Sequence, residues 1–182
     1  MGQVAEGGPA GRADGPEDRP LGERCITFGA PRTGAGYDSY FQFVQSPTTV
    51  GILQETIHDV RMIPLSGQPH LQSSVPQWLG DSRGHWEGDT LVVETTNFSP
   101  RSVPQRATQN LKTTERFTRV SPDYINWEIT FDDSRTWTRP WTMMIRLKKE
   151  NKQLYEYACH EGNIAMKGIL AGARAKEKAA SQ

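Results

Sequence analysis

Ser82–Phe98, SRGHWEGDTLVVETTNF, is the stretch whose reading decides the fold. Gly84-His85-Trp86 enters, Glu87-Gly88-Asp89 turns, and Thr90–Thr96 leaves as a β-branched, alternating arm. Gly88 can take a positive φ without steric cost, and Asp89 can bond back to the turn backbone. The pattern is a β-hairpin.

Outward from it, the chain repeats strand, short polar turn, strand. Ser99–Asn110 is a polar loop. Leu111–Val120 and Tyr124–Asp132 flank the turn Ser121-Pro122-Asp123, with Pro and Asp in turn-favouring places. Asp133–Pro140 forms a corner, and Trp141–Lys148 with Leu154–His160 makes a last hairpin around Glu150-Asn151-Lys152. On the N-terminal side, Pro64–Trp78 is a Pro-, Ser- and Gln-rich surface loop, long enough to serve as a lid or binding loop. Tyr40–Gln45 and Val50–Pro64 form a hairpin across Ser46-Pro47-Thr48-Thr49, with Val50–Pro64 read as one bent strand.

The ends differ in texture. Met1–Pro20 is Gly, Pro, Ala and charge, a disordered or wrapping arm. Leu21–Arg32 begins the ordered domain as coil with one short strand, and Gly34-Ala35-Gly36 is a flexible joint. In Asn163–Lys178, Met166, Ile169, Leu170 and Ala173 fall at helical spacing behind a possible Asn163 N-cap. The expected architecture is mainly β. An antiparallel, eight-stranded up-and-down barrel, lipocalin-like by fold analogy, spans residues 21–162, with one C-terminal α-helix and tail over 163–182. Eight strands close into a barrel with room for one ligand, and closure removes exposed edges.

Composition narrows the function classes. The 182 residues carry 21 basic and 21 acidic side chains, and such balance argues against a nucleic-acid or membrane-surface binder. No run approaches the ~18 apolar residues of a membrane span. Met1–Pro20 lacks the apolar core of a signal peptide. Cys25 and Cys159 allow two readings: a disulfide pinning the N-terminal region to the last strand, or two buried thiols. By the loop-entropy model so long a closure would contribute about 4–5 kcal/mol.

Several strands break the simple apolar/polar alternation. On Val50–Pro64, His58 shares a face with Ile52, Val60 and Met62, while Glu55, Asp59 and Arg61 share the other with Leu53, Ile57 and Ile63. Tyr124–Asp132 is cleaner, with Ile125, Trp127, Ile129 and Phe131 on one side. Mixed faces fit a barrel with a partly polar interior that orients a ligand. They also fit edges, bulges and a bend at His58. In the first case His58 and His160 move protons, since imidazole titrates near neutrality, with Glu55 beside them. Arg61 and Glu156 orient or polarise the substrate, and Trp127, Trp137 and Trp141 shape the cavity. In the second, both histidines are structural and the tryptophans are packing. His70 and His85 are expected to face solvent. No set of three local ligands suggests a metal, and no cofactor is implied. Cys159 beside His160 is a weak thiol-nucleophile candidate, because strand neighbours point apart.

Five segments carry a resemblance: PLSGQPH (Pro64–His70), QWLGDSRGHWEGDTLVVETTNF (Gln77–Phe98), ERFTRVSPD (Glu115–Asp123), TWTRPWT (Thr136–Thr142) and YEYACHEGN (Tyr155–Asn163). Over Pro20–Arg174 the chain resembles an uncharacterised family of exported bacterial proteins. The resemblance implies a periplasmic or secreted location, which favours the disulfide, and implies no activity.

These readings converge on a small-molecule enzyme doing cofactor-free acid/base work of lyase, isomerase or hydrolase type on an aromatic or oxygenated compound. The alternatives are a non-catalytic exported carrier of an apolar or aromatic ligand, and an accessory subunit whose N-terminal arm wraps a protein partner.

Overall fold

The structure is a computed structural model that describes residues 13–34 and 39–181. Residues 1–12 of the expected arm, and Ala35 and Gly36 of the expected joint, lie outside the described residues. Eight strands form two antiparallel sheets. β1 (Phe41–Gln45), β2 (Thr49–Gln54) and β3 (Val60–Pro64) make the smaller one. β4 (Asp81–Glu87), β5 (Thr90–Thr96), β6 (Lys112–Ser121), β7 (Tyr124–Asp132) and β8 (Trp141–Lys148) make the larger, in chain order. One helix, α1 (Ala165–Ala180), follows.

The central hairpin forms as its residues require. Glu87 pairs with Thr90, so the turn is the two residues Gly88-Asp89, and Gly88 takes φ 57°. From there, alternation writes three rows across the inner face of the larger sheet. Leu91, Phe117, Trp127 and Ile145 are cross-strand neighbours, as are Gly84, Val93, Glu115, Ile129 and Met143, and Ser82, Thr95, Thr113, Phe131 and Trp141. Val50, Ile52 and Ile63 of the smaller sheet join the apolar residues of these rows in one core. Each large side chain fully buried there contributes about 1.5–3 kcal/mol.

The barrel expected from the strand count does not close. β3 and β4 share no ladder, and β1 and β8 end their sheets. The reason is visible at Gly84. A Cβ there would stand 2.8 Å from Ile63 Cγ2 and 2.9 Å from Leu65 Cδ2. The end of β3 therefore lays side chains over β4 instead of pairing backbone with it.

Two strand boundaries are also corrected. Val50–Pro64 is not one bent strand but β2 and β3, joined by a 3-10 turn at Thr56–His58 in which Ile57 and His58 take φ 56° and 44°. Leu154–His160 joins no ladder despite its strand-like pattern. Its Tyr155 N–H goes to the Glu55 side chain (3.2 Å), and Cys159 is bonded to Cys25, so the segment is drawn away from β8. Leu21–Arg32 contains no strand.

The helix starts one residue later than an Asn163 N-cap implies, so the residue in the cap position is Ile164. Asn163, one residue before the cap, still accepts the Ala165 N–H on Oδ1 at 3.0 Å. No residue of α1 is fully buried. It is held by the Asn163 bond to the Cys159 carbonyl (2.9 Å) and by Arg174, which donates to the carbonyls of Ala13 and Asp14.

Candidate functional site

The mixed strand faces converge on the space between the sheets. Arg61 sends both terminal nitrogens to Glu115, at 3.1 and 2.5 Å. Trp127 Nε1 donates to the same carboxylate at 3.0 Å. Ser82 and Thr95, 2.9 Å apart, lie at 3.3 and 3.4 Å from the guanidinium. All five residues are buried. The void left beside them, lined by Phe41, Phe43, Phe117 and Trp127 among others, measures about 10 Å³. That is room for about one water molecule. Arg61 and Trp127, read from sequence as substrate contacts, thus stand in a packed core. Trp137 and Trp141 lie elsewhere, at the corner after β7, where Trp141 stacks on Phe131 at 4.6 Å and meets Trp137 edge-on.

The large concavity is outside the sheets. A half-open cleft of about 1100 Å³ runs between the Pro20–Gly34 segment, the loop at Arg101–Gln105 and the Tyr155–Ala165 segment. The Cys25–Cys159 disulfide, with Cα atoms 5.7 Å apart, ties the first wall to the third. Asp59 fixes the first wall from below. Its Oδ2 accepts the Thr27 hydroxyl at 2.7 Å, and it also accepts the Phe28 N–H. Burial pushes the Asp59 carboxyl above its ordinary value, more than these bonds and the nearby His58 charge pull it down.

That anchoring sets the aromatic lining. Phe28 meets Tyr157 edge-to-face at 6.5 Å, and the Arg32 guanidinium sits 4.7 Å over the Phe28 ring. Glu55 lies where β2 ends. One carboxylate oxygen accepts the Tyr155 N–H, while Oε2 is buried with no partner. Glu156 lines the cleft and is exposed.

The expected catalytic trio is not brought together. Glu55 lines the cleft, but His58 sits exposed on the turn after it, and His160 is exposed in the bend after Cys159. Neither imidazole lines the cleft or makes a side-chain hydrogen bond among the described residues. The better-held histidine is His70, expected to face solvent. Its Nδ1 lies 2.9 Å from Asp81 Oδ2, which also accepts the Leu71 N–H, while Arg83 takes Oδ1 at 2.6 Å. That pair pins the start of the Leu71–Gly80 loop. His85 is exposed, 3.1 Å from Glu87. The cleft residues the sequence reading missed are Phe28, Arg32, Tyr155 and Tyr157. Tyr155 and Tyr157 stand two apart and so fall on one face of an extended segment, but nothing local places Phe28 opposite them.

Among the described residues no group of three His, Cys, Asp or Glu side chains could hold a metal ion. No helix among them is long and apolar enough to cross a membrane. Comparison with family models, curated proteins and solved structures finds no match to this chain.

Proposed function

We propose that this chain is an exported, non-catalytic binding protein that takes a small ligand with an apolar or aromatic body in the cleft over the disulfide. One observation carries the reading. The space between the sheets is filled to within about one water, whereas the outer cleft offers about 1100 Å³ with Phe28, Tyr155 and Tyr157 in its walls. Export is supported by the resemblance and by the disulfide, a bond that persists in oxidising compartments.

The test is intrinsic fluorescence titration with aromatic compounds. Phe28→Ala and Tyr157→Ala should each weaken binding about tenfold with little change in melting temperature. Unchanged affinity in both would remove the reading.

A second reading, cofactor-free acid/base catalysis on an aromatic or oxygenated compound, draws on Glu55, the one expected catalytic residue that lines the cleft. It requires turnover that Glu55→Gln abolishes while binding persists.

A further inference from the structure

Two side chains of opposite charge line the cleft, buried Glu55 and half-buried Arg32, and among the described residues neither makes an ion pair. Glu55 is 4% exposed; Oε1 takes the Tyr155 N–H and Oε2 takes nothing. Arg32 lines the same cleft from the N-terminal wall and also borders the small void between the sheets. Its Nε is buried without an acceptor, and among the described residues its guanidinium makes no ion pair, only the contact over Phe28. A buried carboxylate without a charged partner is costly, and Arg32 does not neutralise it.

The other charges of the cleft make no such demand. Glu23 is paired with Arg19, Arg101 lies over the Trp78 ring, and Glu156 and Glu161 are exposed to water. A neutral ligand would leave both charges unmet. A simple amine or acid would answer one. A ligand bearing an ammonium and a carboxylate answers both.

We propose that the ligand is zwitterionic: an amino acid or short peptide with an aromatic side chain. This rests on the cleft being a binding site, as argued above. The ammonium meets the Glu55 carboxylate, the carboxylate meets the Arg32 guanidinium, and the ring lies among Phe28, Tyr155 and Tyr157. Charge-assisted bonds of both signs and an aromatic wall then act on one molecule.

The experiment is calorimetric titration of the intact protein with five probes. L-phenylalanine and the dipeptide phenylalanyl-phenylalanine carry both charges. 2-Phenylethylamine, 3-phenylpropanoate and 2-phenylethanol carry one or none. At least one zwitterion should bind about tenfold more tightly than the other three probes, and which one does separates free amino acid from peptide. Glu55→Gln keeps an acceptor for Tyr155 and should erase the advantage over 3-phenylpropanoate. Arg32→Gln should erase the advantage over 2-phenylethylamine. Thermal melting confirms that each variant is folded.

If 2-phenylethanol binds as tightly as the zwitterions, or if neither substitution changes affinity, the inference is overturned while the cleft remains a binding site. If none of the five binds, the cleft reading falls with it.

Discussion

Arg61 on β3 forks onto both carboxylate oxygens of Glu115 on β6, and the pair bridges the two sheets at their most enclosed point. Glu115 is fully buried and also accepts the Trp127 indole N–H. Water cannot replace either partner there. Arg61→Met or Glu115→Gln should therefore cost about 3–5 kcal/mol, read by urea unfolding. The Arg61→Met/Glu115→Met double variant should lose much less than the sum of the singles, because no charge is then stranded. Full additivity would mean the pair is not coupled.

Gly84 sets how closely β3 crosses β4. Gly84→Ala puts a methyl 2.8 Å from Ile63 Cγ2 and 2.9 Å from Leu65 Cδ2. Both neighbours belong to or pack on the core, so they have little room to yield. The expected loss is about 1–3 kcal/mol by chemical denaturation. A stability unchanged within a few tenths would contradict this account of the junction.

Asp133 holds the corner that presents Trp137 and Trp141. Burial alone would raise its carboxyl. Bonds from Thr108, the Arg135 N–H and the Thr136 hydroxyl outweigh it, and the net position lies below the ordinary 3.8. A depressed carboxyl stabilises the fold above its unfolded-state value, and the contribution is lost as pH falls through the folded-state value. Melting temperature should fall below about pH 4, and Asp133→Asn should shrink that fall while lowering stability at pH 7 by about 1–3 kcal/mol.

The disulfide lies outside the two-sheet core and joins the walls of the cleft. Replacing both cysteines by alanine should abolish cleft binding. It should leave the near-ultraviolet dichroism of the stacked Phe117–Trp127 pair intact. Loss of that signal would show that the core depends on the bond.

The larger sheet was legible because its signals are local. Gly88-Asp89 sits between two alternating arms, and Ser121-Pro122-Asp123 does the same for β6 and β7. The turn between β2 and β3 was not, because it places the β-branched Ile57 at positive φ, a conformation no propensity suggests. There burial of Ile57 and Thr56 outweighs local preference. Tyr155–Cys159 reads as a strand by alternation, yet the long-range ties to Glu55 and Cys25 override it. The site suffers most from this. Of the residues picked by chemistry, Glu55 and Glu156 line the cleft, while the histidines stand on turns facing outward and the tryptophans pack. The pairing of the Phe28 wall with the Tyr157 wall depends on a contact across more than a hundred residues, beyond the reach of periodicity.

Because His58 and His160 are exposed and make no side-chain hydrogen bond among the described residues, His58→Ala and His160→Ala should each shift stability by less than about 0.5 kcal/mol and leave cleft affinity unchanged. A large loss of binding in either variant would return the histidines to the site.

The most direct measurement is an NMR titration of the labelled protein with a neutral aromatic probe, 2-phenylethanol. Ligand entry over the disulfide requires shifts to concentrate at Phe28, Gly29, Tyr155 and Tyr157. Shifts centred instead on Phe41, Phe117 and Trp127 would mean that the sheets open to admit the guest, and would contradict the account.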